Sequence, residues 1–332
     1  MLYAFQLRAH HNARYQGSLL SLAQKEMACM LSACGLDSPV RPQTLGGAPF
    51  LCFEAPALSE GQRRFLCGHS SLYMTCALEG DLLRPLALRG APTLPQDMPE
   101  ILNYKGKTNA RFTDMMINLA LSAGGQWAAQ NALVLDPICG HGTTMFCALS
   151  RGMDAVGVDS DAKALREGLD FARKWLQFHR LQHTLTRGSE TLPEGRSAPS
   201  SRLRVRGPEG ERSITFLQAD TRQTGRLLRR APACALVADL PYGVQHAPRD
   251  NGRVSSLEAL LAECLPAWRE ALRPGCAAAI AFNTHTLKRA VLTDLATKAG
   301  FQPAESPLYQ DFSHWVEQAV ARDVLVALRP RA

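Results

Sequence analysis

The fold is decided by the stretch Leu133-Val134-Leu135-Asp136-Pro137-Ile138-Cys139-Gly140-His141-Gly142-Thr143-Thr144. Its apolar beginning predicts a buried strand that ends at Asp136, followed by a turn and a helix. Gly140 and Gly142 lie in the turn, where the lack of side chains lets backbone N–H groups approach a ligand closely. A dinucleotide-binding fingerprint needs a third glycine, but position 145 is Met. The stretch therefore predicts a binding loop for a nucleotide-type ligand other than a dinucleotide.

From about residue 108 onward, apolar strands alternate with amphipathic helices. This alternation predicts an α/β fold with a doubly wound, mostly parallel sheet. The predicted strands are Ala132–Asp136, Ala155–Asp159, Ile214–Gln218, Cys234–Asp239 and Cys276–Phe282. Helices are predicted between successive strands, for example Asp161–Phe178 and Leu257–Leu272. Two short apolar runs predict an antiparallel edge, His314–Ala319 and Val324–Leu328.

The first 95 residues predict a separate, small α/β domain. Strands are expected at 3–8 and Pro49–Glu54, and helical spacing of apolar residues runs from Leu20 to Cys34. A second helical stretch is predicted through Leu66, Ser70 and Met74. The segment 91–99 contains three prolines and is typical of a linker. We therefore predict an N-terminal domain at 1–95 and a larger domain at 100–332.

Composition restricts the class of protein. The 332 residues are 46% hydrophobic and carry 37 Lys and Arg against 30 Asp and Glu, a formal net charge of +7, which suits an anionic partner. The ten cysteines form no C-x-x-C pair and no cluster at zinc spacing, so buried, reduced thiols and no metal are expected. No run approaches the ~18 apolar residues of a spanning helix, and no leader pattern is present. A cytoplasmic protein without a membrane partner is the expectation; the oligomeric state is not indicated.

The excess positive charge is concentrated in one region. From Arg173 to Arg230 there are thirteen Lys and Arg and five Asp and Glu. Within it, Thr184–Arg212 is rich in Gly, Pro, Ser and Arg, which predicts a basic surface loop or insertion. Such a loop can engage phosphates. A solvated arginine-rich loop with no specific role fits the same composition, and both interpretations remain open.

A second loop follows the predicted fourth strand with the sequence Asp239-Leu240-Pro241-Tyr242-Gly243. Methyl transfer to an aryl amine requires that the nitrogen lone pair face the methyl group while acceptors hold both N–H bonds. The carboxylate of Asp239 and the carbonyl of Leu240 suit those two acceptors, and Pro241 keeps Leu240 extended. Tyr242 is placed to stack on a base, a contact worth about 1–3 kcal/mol in comparable cases. The loop predicts a site for a planar exocyclic amine.

These motifs together resemble a known family. The D-P-x-x-G-x-G-T form of the first loop resembles the first motif of Rossmann-like S-adenosylmethionine (SAM)-dependent methyltransferases. The second loop resembles the [DN]-P-P-[YFW] motif of amino-methylating nucleic-acid methyltransferases, with Leu240 in place of the first Pro. With the segment 103–112, residues 100–330 are similar to bacterial relatives of the tRNA guanosine N2-methyltransferases. The resemblance implies a Rossmann-like class I methyltransferase domain, SAM as cofactor, and methylation of a guanine amine in tRNA.

The resemblance also assigns roles to residues. Asp159 follows the first loop by about 20 residues, the spacing of a carboxylate that binds ribose hydroxyls. Asp220 is expected either to accept from the adenine amino group or to cap a helix, as Asp161 does. The segment before the first strand is expected to close over the methionine end of SAM. The predicted cofactor-binding residues are Lys107, Thr108, Phe112, Asp136, Pro137, Gly140, Gly142, Thr143, Asp159, Ser160 and Asp220.

Two alternatives remain beside the RNA methyltransferase. A DNA amino-methyltransferase that acts on adenine N6 or cytosine N4 would use the same loop on a flipped base, but no base-specific target domain is recognisable. A non-catalytic RNA-binding module on the same fold is disfavoured by Asp239, Pro241 and Tyr242. For residues 1–95, docking of RNA and simple capping are equally compatible with the sequence. Gln245 and His246 follow the amine loop and are possible substrate contacts.

Overall fold

The structure is a computed structural model. It describes residues 1–8, 13–87, 94–95, 97–102, 104, 107–129, 131–192, 195–207, 210–241, 249–250, 253–254, 256–317 and 319–331. Of the predicted linker at 91–99, residues 91–93 and 96 lie outside this range, as do Tyr242, Gln245 and His246.

The N-terminal region forms an antiparallel sheet with the strand order β2-β3-β1-β4-β5. The strands are β1 (Leu2–Leu7), β2 (Arg41–Leu45), β3 (Ala48–Glu54), β4 (Leu72–Glu79) and β5 (Leu82–Pro85). Alternation decides which face is buried, because successive side chains of a strand point to opposite faces. Tyr3, Phe5 and Phe53 pack as an aromatic cluster on the side of the main core.

The helices of this region are α1 (Ala13–Ala33) and α2 (Glu60–Leu66). A capping box formed by Ser59 and Gln62 begins α2. The prediction of a helical stretch that continues to Met74 was wrong, because the helix ends at Leu66 and Met74 lies in β4. Some of the apolar residues that suggested a helix lie instead in β4, which pairs with β1 on one side and with β5 on the other.

A larger mixed sheet follows, with the strand order β15-β17-β14-β11-β6-β7-β10-β9-β8 and with β16 paired to β17. The five strands from β14 to β10 in this order are parallel, and the pairs beyond them are antiparallel. The bounds are β6 (Leu133–Asp136), β7 (Asp154–Asp159), β8 (His183–Thr191), β9 (Ser197–Gly207), β10 (Gly210–Gln218), β11 (Ala233–Asp239), β14 (Leu272–Asn283), β15 (Gln302–Pro303), β16 (His314–Glu317) and β17 (Val320–Leu328). A separate two-residue hairpin consists of β12 (Arg249–Asp250) and β13 (Arg253–Val254). The predicted doubly wound sheet with an antiparallel edge is confirmed.

Helices cover both faces of this sheet. Their bounds are α3 (Met98–Ile101), α4 (Ala110–Ala123), α5 (Thr143–Ser150), α6 (Ala162–Phe178), α7 (Thr224–Leu227), α8 (Leu257–Ala271) and α9 (Arg289–Lys298). On one face, α4 packs on α5, and Phe146 of α5 meets Phe171 of α6. On the other face, α8 packs on α7 and α9. Polar side chains accept hydrogen bonds from free N–H groups where three helices begin, at Asn109, Asp161 and Ser256.

The basic segment 184–212 is not a loop, which corrects the sequence-based prediction. Most of it forms β8, β9 and the beginning of β10, a meander that extends the sheet beyond β7. Leu203 and Val205 are buried, whereas the arginines on either side of them in β9 are exposed. This alternation is the period of a half-buried strand. The Gly, Pro and Ser residues concealed the alternation in the sequence.

One apolar core spans the two regions that the sequence divides at 95–100. Helix α1 packs against α4, and buried side chains of both contribute to the same cluster. Glu26 of α1 has no exposed surface and accepts hydrogen bonds from the Asn118 amide (2.6 Å) and from the Ser70 backbone (2.9 Å). Because a buried carboxylate needs such partners, these bonds connect the two regions. All ten cysteines are buried and free, as predicted.

Among the described residues, no helix combines the length and the apolarity needed to cross a membrane. The described residues also contain no group of three or more His, Cys, Asp and Glu side chains that could hold a metal ion.

Candidate active site

A cavity of about 760 Å³ lies where the parallel strands β6, β7, β10 and β11 end. Its volume falls within the roughly 300–1,000 Å³ of small-molecule sites, and the carboxyl ends of parallel strands are the usual ligand position in open α/β sheets. Eleven of the predicted site residues line it: Thr108, Asp136, Pro137, Gly140, Thr143, Asp159, Ser160, Asp220, Asp239, Leu240 and Pro241. The structure thus brings together side chains that are up to 133 positions apart, from Thr108 to Pro241.

The two glycines of the first loop have different surroundings. Gly140 has a φ of +51°, and a Cβ added to it would meet no atom within 4 Å. Gly142 has a φ of +94° and precedes α5; a Cβ there would lie 3.1 Å from the ring of Phe216. Both positions favour glycine because their φ is positive. Gly140 leaves open space at the cavity wall, whereas Gly142 permits packing on the core and does not line the cavity.

Asp159 holds the first loop in place. One carboxylate oxygen accepts from the Gly140 backbone N–H at 2.8 Å, and the other accepts from the Asp161 N–H at 2.9 Å. Asp161 in turn caps α6, as the sequence predicts. Asp159 also lines the cavity beside Ser160. A carboxylate has about four acceptor positions, so these bonds leave capacity for ligand hydroxyls.

Asp136 is the most deeply buried acid of the cavity. Only 6% of its surface is exposed, and burial raises its pKa to about 7. Hydrogen bonds from Thr144 and from the Ile138 backbone oppose this shift, while the charges of Asp159 and Asp239 add to it. A carboxyl whose pKa is raised by neighbouring carboxylates lies in a site that favours a cation.

Asp220 has a protein partner at each oxygen. The Arg222 guanidinium donates to both, at 3.0 Å and 2.7 Å, and the Arg222 backbone N–H donates as well. Although burial raises the pKa of Asp220, these bonds from Arg222 outweigh it and leave the pKa below its ordinary value. Arg222 also pairs with Glu263 at 2.7 Å. The structure supports the capping alternative for Asp220, which caps the turn that begins at Thr221, while its position on the cavity wall keeps it beside any bound ligand.

Asp239 ends β11 and is held from two sides. Its Oδ2 accepts a short hydrogen bond from the Thr108 hydroxyl and lies 3.6 Å from Nη2 of Arg322. Burial raises the pKa of Asp239, and the Arg322 charge and the Thr108 bond oppose that shift. Arg322 is itself 6% exposed, and its guanidinium lies over the ring of Phe112 at 4.6 Å. The carboxylate is therefore fixed in direction and kept beside a cation.

Leu240 and Pro241 continue the wall after Asp239. The Leu240 N–H donates to the Ala281 carbonyl of β14 at 2.9 Å, and the Leu240 side chain is buried. This backbone bond fixes the direction of the Asp239–Leu240 peptide, which directly precedes the Leu240–Pro241 peptide that carries the predicted acceptor carbonyl. The Tyr242 prediction lies outside the described residues.

Besides Gly142, two further predicted cofactor residues do not line the cavity. The Lys107 ammonium donates to the Glu100 carbonyl at 2.8 Å. Phe112 is buried between Arg322 and the ring of His314. Phe112 therefore acts on the site through Arg322 and not by touching a ligand of the cavity.

Sequence reasoning missed several residues of the wall. The Tyr104 hydroxyl bonds with the Thr143 hydroxyl at 2.9 Å, and its ring stacks on His141 at 4.0 Å. Both rings line the cavity. Tyr104 lies in the segment 103–112, so the resemblance was a signal for it. No sequence signal points to Arg322, because its neighbourhood depends on the pairing of β17 with β14.

No protein-family model and no curated protein matches the chain. Several solved structures are similar. A methyltransferase from Pyrococcus furiosus gives a TM-score of 0.41 at 12% identity over 69% of this chain and 88% of its own. The magnesium protoporphyrin IX methyltransferase from Synechocystis with bound SAM gives 0.38 at 16% over 70% and 90%. A TehB-like SAM-dependent methyltransferase from Corynebacterium glutamicum gives 0.33 at 13% over 60% and 80%.

The strand order itself defines the fold. Five parallel strands, in the order β10-β7-β6-β11-β14, are followed by the antiparallel β17, which β15 flanks. Helices lie on both faces of this sheet, and the cavity lies at the carboxyl ends of the parallel strands. The chain has a Rossmann-like class I methyltransferase fold, as predicted.

Proposed function

We propose that the protein is a SAM-dependent methyltransferase that methylates the exocyclic N2 amine of a guanosine in tRNA. The observation that carries the proposal is the meeting of Asp136, Asp159 and Asp239 at one cavity, with the Leu240-Pro241 peptide beside them. A wall of carboxylates favours a cationic ligand. A carboxylate at the end of β11, followed by an X-Pro peptide, supplies acceptors for an amine.

The residues of the cavity fit SAM. Gly140 leaves the space that a side chain would fill, so that the backbone of the loop can approach the ligand. Asp159 keeps acceptor capacity for ribose hydroxyls at the wall. Tyr104 and His141 add an aromatic surface beside Gly140. Bound SAM supplies an electrophilic methyl group on a positively charged sulfur, and ionised Asp136 stabilises that charge.

The part of the protein's own residues in the transfer is to orient the amine. Asp239 and the Leu240 carbonyl accept the two amine N–H bonds and turn the nitrogen lone pair toward the methyl group. SAM held in this cavity would supply the methyl group, and the Asp239 carboxylate would take the proton that the amine releases. Arg322 and Thr108 hold Asp239 in the required direction.

The choice of guanosine in tRNA rests on the motif resemblance and on charge. Residues 173–230 hold thirteen Lys and Arg against five Asp and Glu. This region borders the cavity through Asp220 and Arg222. A polyanion is the partner that such a region attracts.

Transfer of label tests the proposal directly. The protein is incubated with methyl-labelled SAM and with bulk tRNA, bulk rRNA or genomic DNA, and labelled nucleosides are identified by mass spectrometry. We expect N2-methylguanosine in tRNA alone. Label in DNA as N6-methyladenine or N4-methylcytosine would replace the proposal with the DNA alternative, and binding of RNA without transfer would favour a non-catalytic module.

The variant Asp239→Asn tests the role of the site. The amide keeps the shape of the side chain but donates where an acceptor is needed. We expect loss of transfer while SAM binding, measured by calorimetry, stays close to that of the unchanged protein. Normal transfer by this variant would refute the orientation of the amine by Asp239.

A further inference from the structure

Three arginines of β9 form a row on one face of the sheet. Arg202, Arg204 and Arg206 alternate with Leu203 and Val205, so their side chains point to the same side. Alternate residues of a strand are about 6.5–7 Å apart. All three are exposed, while the residues between them are buried. We call these three residues the arginine row.

The pairing of β9 with β10 places the row on the face of α7 and α8. Arg202 pairs with Thr215, and its Nε donates to the Thr215 hydroxyl at 3.1 Å. Thr215 points away from Phe216, whose ring packs against Phe146 of α5. The row therefore lies opposite α5 and α6. On its own face, α7 and the turn after it add exposed arginines at 226, 229 and 230.

The row leads toward the cavity. Arg206 pairs with Glu211 near the beginning of β10, and Arg202 pairs with Thr215, closer to the carboxyl end where Asp220 lies. Exposed Arg196, which directly precedes β9, lies close enough to that end for its charge to lower the pKa of Asp220. Positive charge is thus arranged in a line from the far edge of the sheet to the wall of the cavity.

Carboxylates neutralise little of the arginine row itself. Within the described residues, the Arg204 guanidinium lies 3.7 Å from Glu211, in a pair whose two side chains are 45% and 61% exposed. Such exposed pairs contribute about 0–1 kcal/mol and are screened by salt. Arg206 has no ion pair among the described residues. The row therefore presents charge that an anionic partner can use.

We propose that the arginine row is the docking surface for the sugar–phosphate backbone of the RNA whose base enters the cavity. The inference rests on the proposed function. The row supplies guanidinium groups at a regular separation comparable to that of successive phosphates, and guanidinium binds phosphate oxygens in bidentate geometry. Backbone contacts of this kind fix position and register without reading sequence. An extended β8–β9 arm, rather than the N-terminal region, then positions the RNA.

A triple substitution with a matched control tests the surface. The row variant is Arg202→Gln, Arg204→Gln and Arg206→Gln. The control is Arg166→Gln, Lys174→Gln and Arg180→Gln, which removes the same charge from exposed positions on and just after α6, on the opposite face. Binding of fluorescent bulk tRNA is measured over a range of salt concentrations. Melting temperature and SAM affinity confirm that both variants are folded.

We expect the row variant to bind tRNA roughly tenfold or more weakly and to lower the slope of log affinity against log salt by about 2 to 3 units, since each phosphate contact contributes about 0.7–0.9. The control should stay within about twofold. In transfer assays the row variant should raise KM for tRNA and keep kcat. Equal losses in both variants, or no loss in the row variant, would overturn the proposal. So would loss of binding to phosphatidylserine vesicles with unchanged tRNA binding.

The two proposals fail differently. If the unchanged protein binds tRNA through the row but transfers no methyl group to any RNA, the proposed function fails and the docking surface stands. If tRNA is methylated and the row variant does so with an unchanged KM, the function stands and the docking surface fails.

Discussion

Nη2 of Arg322 lies 3.6 Å from Oδ2 of Asp239. Arg322 belongs to β17, the last strand along the chain, whereas Asp239 ends β11, the fourth parallel strand in chain order. The Arg322 guanidinium stacks on the ring of Phe112, and this contact fixes the orientation of the Arg322 side chain. The pair gives the buried Asp239 a counter-charge that the loop motif does not contain. The Arg322 charge favours the ionised form of Asp239, in which both carboxylate oxygens are acceptors only.

Replacing Arg322 should change the pH dependence of transfer. In Arg322→Met the pKa of Asp239 loses the charge that lowers it, and an opposite charge at this range is worth about 1–3 pKa units. We expect the acid limb of the kcat profile to move to higher pH by about one unit or more, with SAM affinity little changed. Arg322→Lys should restore part of the shift. The check is the rate of tRNA methylation between about pH 5 and 9.

Arg289→Met is the control for that experiment. Arg289 pairs with Asp323 at 2.6 Å, next to Arg322 in the chain but outside the cavity. The Arg289→Met substitution removes a comparable ion pair and should lower stability without moving the pH profile of kcat. An unmoved profile in Arg322→Met would show that Arg322 serves packing alone.

Affinity for SAM should increase as pH rises through about 7. Burial raises the pKa of Asp136 from 3.8 to about 7, so its negative charge, which attracts the cationic cofactor, appears only above that range. In Asp136→Asn we expect weaker binding without this pH dependence. Titration calorimetry between about pH 5.5 and 7.5 measures it. A pH-independent affinity in the unchanged protein would contradict the assignment.

The same shift affects stability with a definite sign. A carboxyl whose pKa is higher in the folded than in the unfolded state binds the extra proton only when folded, so the free energy of unfolding falls as pH rises from about 4 to about 7. Asp114, whose pKa burial also raises to about 7, contributes in the same direction. Asp114→Asn is therefore the control: it should flatten the stability curve as Asp136→Asn does but leave SAM affinity unchanged.

Gly168→Ala should disturb the cofactor loop from behind. A Cβ at position 168 of α6 would collide with the backbone carbonyl of His141, which cannot move without moving the loop. Overpacking of this kind costs about 1–3 kcal/mol. We expect a lower melting temperature and weaker SAM binding. In the control Gly61→Ala the Cβ would lie 3.5 Å from the Trp127 ring, an ordinary contact, and stability should stay equal or rise.

Glu26→Gln should lower the stability of the N-terminal region and of the larger region together. Glu26 accepts from Asn118 and the Ser70 backbone at Oε1 and from the Ser70 hydroxyl at Oε2, so Gln replaces one of these two acceptor oxygens by a donor. The expected loss is about 1–3 kcal/mol. Urea unfolding followed by tryptophan fluorescence and circular dichroism should show a single transition at lower urea. The exposed Glu79→Gln should change little. Two separate transitions would contradict a shared core.

The parallel strands of the main sheet and the position of the cavity could be predicted from sequence because local signals agree there. The predicted strand Ala132–Asp136 is a short apolar run closed by an acid and followed by a glycine turn, and the structure has a strand at Leu133–Asp136. Where the carboxyl ends of several such strands meet, their acids must meet too. The gathering of Asp136, Asp159 and Asp239 therefore follows from topology alone.

Other features depend on non-local pairing. The alternation of Arg and apolar residues in β9 was present in the sequence, but turn-forming residues around it concealed the strand. Arg322 reaches Asp239 only because β17 is antiparallel to β14 and aligned so that Arg322 pairs with Asn283. Phe112 was predicted to touch the cofactor, yet it lies beneath Arg322. Local patterns do not determine such a register.

Thr108, which bonds to Asp239, directly precedes Asn109, the residue that caps helix α4. Asn118 of the same helix bonds to Glu26. Ten residues of helix span about 15 Å. Helix α4 therefore joins the Asp239 side of the cavity to the buried Glu26 carboxylate of the N-terminal region. Replacing the N-terminal region by an unrelated module would expose the buried face of this helix, so the residues of α4 that face α1 would have to change with it.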